Sequence, residues 1–367
     1  MKRSPHCIER RSEYYFLLSQ DHPEMSYIEM VSMLKSINRD YRLLYMEPGL
    51  AIIRFNNSIE DLGNISPAYI KEIGISLYIE PLRDGFTPYA AIRSLKMLFK
   101  CRSRVDIKIY SLGRRKLACD YTLIIKEIIE GREKIFSKDL KGIEVRGSED
   151  SWECPTQISI IAGNIVVIGY PIATRIKYLK GDVEDRKYMR REDIVFMANI
   201  YSYLYNGKRK VFDLFSGYGY ILDELCIRAS PKIIIGSDID PRKVAVSKKM
   251  VRHQCTFDLV VADAMYPPFR RACVDAIISD LPYGRRSKVY SDETLKLPIS
   301  FLNRASDVLS EGSIVILALS LDQFRHLKTF LRDNPYYKLV SFCIQYVHGS
   351  LSRVYIILRF TQKTVTQ

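Results

Sequence analysis

Asp280-Leu281-Pro282-Tyr283-Gly284 brings a carboxylate, a stiff turn and an aromatic ring together within five residues. A positioned carboxylate can accept hydrogen bonds from an amine and take its proton, and an aromatic face can stack on a planar base. Pro282 fixes φ and removes a backbone donor, and Gly284 permits a backbone path that other residues resist. Just upstream, Val274-Asp275-Ala276-Ile277-Ile278-Ser279 reads as a buried parallel strand, which puts Asp280 at its C-terminal end. Open α/β sheets bind ligands at that end. An ordinary Pro/Gly turn would account for the pentapeptide equally well if it stood alone.

It does not stand alone. Val211-Phe212-Asp213 reads as another strand ending in an acid, followed by the glycine turn Phe215-Ser216-Gly217-Tyr218-Gly219 and a helix. Lys232 to Gly236 is the next strand and leads into Ser237-Asp238-Ile239-Asp240, with Pro241 at a helix start, where proline is tolerated. Asp258 to Ala262 is a third strand and ends at Asp263. Each acid singly would pass for a helix cap or a solvated loop residue. Successive strand ends with a glycine turn read instead as a nucleoside site, because Gly217 and Gly219 let the backbone approach a ligand closely. Asp238, 19 residues past Gly219, stands where a carboxylate accepts ribose hydroxyls. Asp263 can accept from an adenine amine, and Asp213 can orient the turn or meet a cationic group. Phe215, Gly217, Gly219, Ile239 and Ala264 flank these acids and complete the candidate cofactor set. The third glycine of the dinucleotide fingerprint is missing, which argues against a dehydrogenase.

The elements that must position these residues alternate strand and helix, the pattern of a parallel sheet. Ser313 to Ser320 is a fifth strand, and Leu339 to Val347 with Arg353 to Phe360 form a closing hairpin. A helix from about Asp193 to Tyr205 leads into this half. Upstream, Tyr14 to Leu18 reads as a strand, Ser26 to Ile37 as an amphipathic helix, and Tyr41 to Leu44 with Leu50 to Phe55 as a strand pair around Glu47-Pro48-Gly49. Asn64 to Ile79 repeats a helix-then-strand rhythm, and Ile143 to Val145, Gln157 to Ala162 and Ile165 to Gly169 read as further strands. The expected division is a ferredoxin-like platform over 1–82, a second α/β module over 83–170, a charged linker over 171–192, and the parallel-sheet domain over 193–367.

At 367 residues, two or three domains are expected, and an apolar fraction of 47% is ample for their cores. Net charge is +14, which points to an acidic partner, nucleic acid before membrane. Between Arg83 and Arg146 the chain carries 16 Lys+Arg against 8 Asp+Glu, a net +8. Arg102 and Arg104 end one cluster, and Arg114, Arg115 and Lys116 form another. Together they read as a face for RNA phosphates, although cations near helix C-termini are favoured anyway. The eight cysteines contain no C-x-x-C pair, so no zinc ribbon or other metal site is indicated, and reduced thiols in the cytoplasm are expected. The apolar stretch Ile158 to Ala173 is broken by Gly163-Asn164 and Pro171 and reads as a hairpin, too short for a membrane span.

The C-terminal half resembles the Rossmann-like S-adenosylmethionine-dependent methyltransferases that modify exocyclic amines. Their glycine-turn motif is similar to Asp213-Leu214-Phe215-Ser216-Gly217-Tyr218-Gly219, and their (D/N)-P-P-(Y/F) motif to Asp280 to Tyr283. Within these, the archaeal and eukaryotic tRNA guanosine-10 N2-methyltransferases, in which a THUMP module precedes the catalytic domain, share Asp280 to Arg285 and His348-Gly349-Ser350-Leu351-Ser352-Arg353. The resemblance covers about Val211 to Arg359 well, the THUMP-like region less so, and it fades before Arg83. It implies an α/β chain with an N-terminal THUMP-containing RNA-binding region and a Rossmann-like S-adenosylmethionine-dependent methyltransferase domain. It also implies tRNA as partner, with a small activating subunit in some relatives. The catalytic set it implies is Asp280, Pro282 and Tyr283. Asp280 would hold and deprotonate the guanine N2 amine, and Tyr283 would stack on the extruded base. Leu281 replaces the family's usual proline. That departure keeps a catalytically impaired RNA-binding protein as the alternative, with methylation of another tRNA or rRNA position, or of DNA adenine, behind it.

Overall fold

The computed structural model describes residues 13–37, 40–55, 65–81, 106–113, 157–175, 189–205, 209–251, 255–283, 292–349 and 351–361. The chain forms two compact units, residues 1–23 with 39–176 and residues 24–38 with 177–367.

The first unit is built on one seven-stranded sheet. Its strands are β1 (Glu13–Leu18), β2 (Tyr41–Glu47), β3 (Leu50–Phe55), β4 (Ile70–Pro81), β5 (Asp106–Ser111), β6 (Gln157–Ala162) and β7 (Ile165–Thr174), in the order β2-β3-β1-β4-β7-β6-β5. β4, from the first 82 residues, pairs with β7 along its length, so strands on either side of that expected boundary share a single sheet. Asn64 lies outside the described residues, residues 65–69 are not helical, and Ile70 to Ile79 belong to one long strand. Pro67 disfavours helix for the residue before it. The β6–β7 hairpin turns at Gly163-Asn164 as expected, with the Asn164 N–H donating to the Glu47 carboxylate. Glu72 is buried in this sheet and accepts from Tyr15, Tyr110 and Gln157, which holds a lone carboxylate in an apolar layer.

The second unit includes a helix from far upstream, α1 (Pro23–Ile37), whose residues from Glu24 onward belong to it. The buried Glu29 accepts from Asn199 Nδ2 at 2.8 Å, and Glu24 accepts the Ile344 N–H at 2.9 Å. The remaining helices are α2 (Arg191–Leu204), α3 (Tyr220–Ala229), α4 (Pro241–Met250), α5 (Asp292–Val308) and α6 (Leu321–Asp333). They accompany strands β8 (Lys210–Asp213), β9 (Ile233–Asp238), β10 (Phe257–Val261), β11 (Val274–Asp280), β12 (Leu309–Ser320), β13 (Tyr337–His348) and β14 (Leu351–Phe360). Sheet order is β10-β9-β8-β11-β12-β14-β13, with β8 to β12 parallel and β14 and β13 antiparallel. From β8 the chain winds outward through β9 and β10, then returns to β11 on the other side. The reversal between β8 and β11 is the switch point at which such sheets open a crevice.

Among the described residues no helix is long and apolar enough to cross a membrane. Reduced thiols were the expectation throughout, but Cys226 on α3 and Cys255 before β10 are joined in a disulfide with Cα atoms 5.5 Å apart. Those residues are 29 apart in sequence, and the sequence spacing alone did not mark them as a pair.

Candidate active site

Asp213 ends β8 and Asp280 ends β11, so the two acids flank the switch point. Asp213 is fully buried. Its Oδ1 accepts from Ser279 Oγ at 2.8 Å and from the Phe215 N–H at 3.2 Å. Ser279 Oγ accepts in turn from the Leu214 N–H at 3.1 Å, which ties the glycine turn to the strand carrying Asp280. Burial pushes the Asp213 carboxyl up to about 7, with the charges of Asp280 and Asp238 adding to the rise and the two hydrogen bonds opposing it. Asp213 Oδ2 and Ser216 Oγ are buried without hydrogen-bond partners among the described residues, and both lie at the glycine turn.

The turn depends on its glycines. Gly217 and Gly219 have φ of +52° and +85°, left-handed values that favour glycine. A Cβ on Gly219 would stand 2.1 Å from Ser247 Oγ, so α4 packs directly against the start of α3. Among the described residues a Cβ on Gly217 would meet nothing nearer than the Phe215 carbonyl at 4.0 Å, which leaves room for a ligand on this side of the turn. Phe215 packs edge-on to Phe301 with ring centroids 5.1 Å apart.

Asp238 ends β9 and braces this turn. Its Oδ2 accepts the Gly217 N–H at 3.0 Å, its Oδ1 accepts the Asp240 N–H at 2.9 Å, and Lys243 Nζ lies 3.5 Å from both oxygens. A carboxylate oxygen accepts about two hydrogen bonds, so a hydroxyl would take the place of the long Lys243 contact on either oxygen. Ile239 beside it is 69% exposed, an apolar side chain offered to solvent at a strand end. Asp263 follows β10, with Oδ1 accepting the Met265 N–H at 2.9 Å, and Ala264 is buried in the core beneath. The candidate cofactor residues therefore fall along one edge of the sheet, on the loops after β8, β9 and β10.

Asp280 is half-buried, and its Oδ1 accepts a hydrogen bond from the Tyr283 hydroxyl. Pro282 is exposed, and Tyr283 is turned inward. Leu281 is buried in the core and donates its N–H to the Ala318 carbonyl at 2.9 Å. Gly284 and Arg285 lie outside the described residues, as do Arg102, Arg104, Arg114, Arg115 and Lys116.

Residues 201–353 match the family described as RMKL-like, methyltransferase domain. This segment is a methyltransferase domain. Across a wider span, the chain is 25% identical over 318 residues to the tRNA (guanine(10)-N2)-dimethyltransferase of Methanothermobacter thermautotrophicus, covering 83% of this chain and 88% of that one. TrmN from Thermus thermophilus superposes with a TM-score of 0.58 at 16% identity, over 95% of this chain and 99% of its own. A protein from Clostridium difficile 630, described as a possible methylase, superposes with a TM-score of 0.59 at 14% identity, over 97% and 99%. These two likenesses are of fold.

Gln323 and Asp193, which the sequence did not mark as functional, hold the methyltransferase domain's Asp280 loop together with Arg353, the last residue of the His348-to-Arg353 motif. Gln323 is fully buried and donates from Nε2 to the Pro282 carbonyl at 3.0 Å and to the Thr294 carbonyl at 3.1 Å. The same residue completes the cap of α6, where Ser320 Oγ accepts the Gln323 N–H and Gln323 Oε1 accepts the Ser320 N–H. The Ser-x-x-Gln spacing is readable in sequence as a helix start, but its second duty is not. Arg353 and Asp193, both buried, form a 2.7 Å ion pair, and Arg353 Nε donates to the Tyr283 hydroxyl at 2.9 Å. No local pattern announces a contact across 160 residues.

Proposed function

We propose that this chain methylates the exocyclic N2 amine of a guanosine in tRNA, at position 10. Asp280 beside the glycine turn, across the switch point from Asp213, carries the reading. It puts a carboxylate acceptor for an amine next to a site suited to a nucleoside cofactor. Support for guanine as the base, and for tRNA as the carrier, comes from the 25% identity to the archaeal dimethyltransferase over most of both chains.

Asp238 would accept the ribose hydroxyls and Asp263 the adenine amine. Asp213 Oδ2 and Ser216 Oγ, buried and unpartnered, suit the cationic end of the cofactor, and a nearby cation would draw Asp213 into its charged form. S-adenosylmethionine supplies an electrophilic methyl group. Guanine N2 is a poor nucleophile because its lone pair is delocalised into the ring. Asp280 would accept one of its N–H bonds and a backbone carbonyl of the turn the other, which aims the lone pair out of the amine plane, and Asp280 would take the proton released. The Pro282 carbonyl already accepts from Gln323, which keeps the turn rigid while this happens. Tyr283 would offer its ring to the base while its hydroxyl stays on Asp280. The basic segment from Arg102 to Lys116 would grip phosphates within a THUMP-like region.

Leu281 does not favour the impaired alternative, because its side chain fills core and its N–H is bonded. Unmodified tRNA treated with enzyme and labelled S-adenosylmethionine, then digested and mapped, should carry label in N2-methylated guanosine at position 10. Label in another nucleoside, or none across a panel of RNAs with any activating subunit supplied, would overturn the reading.

A further inference from the structure

The buried polar cluster behind Tyr283 does more than satisfy itself. Arg353 projects from β14 with Asp193, in the first turn of α2, as its ionic partner at 2.7 Å. Its NH1 also donates to Tyr355 Oη at 3.2 Å and Gln345 Oε1 at 3.3 Å, and Gln345 Nε2 returns to Asp193 Oδ1 at 2.7 Å. Asp193, Gln345, Arg353 and Tyr355 are each 5% exposed or less. A buried ion pair is weak evidence of stability, since apolar residues of the same volume do as well. One donor of this guanidinium points away from the cluster. Arg353 Nε meets the Tyr283 oxygen at 2.9 Å, and the Tyr283 hydroxyl donates onward to Asp280 Oδ1. Because the oxygen accepts from Arg353, its single hydrogen is directed at the carboxylate.

We propose that Arg353 is a positioning residue for methyl transfer: anchored by Asp193, it orients the Tyr283 hydroxyl so that Asp280 is held in place as an anion. The inference rests on the proposed role of Asp280. A planar guanidinium can serve Asp193 and Tyr283 at once, with NH1 and Nε fixed relative to each other, whereas an ammonium offers a single point. Arg353 Cζ also lies 5.6 Å from the Tyr283 ring centroid, so the cation bears on the ring as well as on its oxygen. Among the described residues, Arg353 bears on Asp280 from the Tyr283 side and Asp213 bears on it from the other. Arg353 thus opposes Asp213, whose charge would otherwise favour protonation of Asp280.

Arg353→Lys keeps a cation for Asp193, and Tyr283→Phe removes only the hydroxyl that links the two sides. Loss of one charge-assisted bond in the turnover step should lower kcat about tenfold in each, with KM for tRNA unchanged. The double variant should be no slower than the slower single. If the two effects multiply, Arg353 does not act through Tyr283. A second readout needs no turnover. The Asp280 carboxyl, followed by carbon NMR and assigned by its loss in Asp280→Asn, should titrate about one unit higher in either single variant than in the parent, and no higher in the double. A purely structural Arg353 would leave that titration unmoved, and an unmoved titration overturns the inference. If the titration moves as expected but the parent methylates no tRNA, the positioning device stands and the proposed function falls.

Discussion

Proline at position 281 is where the family resemblance and the structure disagree. The resemblance makes Leu281→Pro a restoration that should keep or raise the rate. The structure predicts damage. The Leu281 N–H donates to the carbonyl of Ala318, which is fully buried on the neighbouring strand, and proline has no N–H to give. Leaving a buried carbonyl without its donor costs about 1–3 kcal/mol. Leu281 is also 1% exposed within the core cluster that contains Phe301 and Leu317, and a smaller ring there loses burial and leaves part of a cavity, about 1–2 kcal/mol more. The sum is about 3 kcal/mol, which for a unit of this size lowers Tm by roughly 6–12 °C. Thermal unfolding followed by circular dichroism, with Leu281→Ala as the variant that keeps the N–H, is the assay. Methyl transfer measured below the lowered Tm should also fall, because the displaced turn carries Asp280. A proline variant that melts within about 2 °C of the parent and turns over as fast would refute the reasoning.

Asp280→Ala should abolish methyl transfer while tRNA and cofactor still bind, and Asp280→Asn should keep a trace of activity only if hydrogen bonding outweighs proton removal; equal incorporation by parent and alanine variant would remove Asp280 from the chemistry. Asp238→Ala should weaken S-adenosylmethionine binding by about 2–3 kcal/mol in calorimetry, since both the hydroxyl acceptor and the brace on Gly217 are lost, and Asp238→Asn should recover part of it. Asp213 is raised from 3.8 to about 7 in the folded state, so its protonated form stabilises the fold at low pH and that contribution is lost as pH rises from about 4 through about 7. Urea unfolding of the parent relative to Asp213→Asn should therefore lose up to about 4 kcal/mol across that window, and a flat difference would show that Asp213 ionises as freely folded as unfolded. Neutralising Arg114, Arg115 and Lys116 together in the full chain should lower the salt dependence of tRNA binding by about 2–3 units of slope, and filter binding that ignores salt would refute the phosphate-grip reading. The full chain is needed because α1 belongs to the second unit, where Glu29 meets Asn199, so cutting near residue 180 would strip that helix of its partners.

The sequence by itself determined the parallel sheet and the ends of its strands. Apolar runs closed by an acid or a glycine turn are local signals, and β8, β9, β10 and β11 lie within two residues of where the pattern puts them. The motif residues were legible for the same reason: Asp213, Gly217, Asp238 and Asp280 sit in the pieces of chain that announce a strand end. Tertiary structure decided what those residues touch. Pairing of β4 with β7, and the passage of residues 24–38 into the second unit, depend on contacts between distant segments with no local periodicity to mark them. The inward turn of Tyr283 depends on Arg353, 70 residues later, and Arg353 depends on Asp193, 160 residues earlier. A charge with no neighbour of opposite sign in sequence looks solvent-exposed on the page. Only folding shows that Arg353 is buried, and burial is what compels it to find partners.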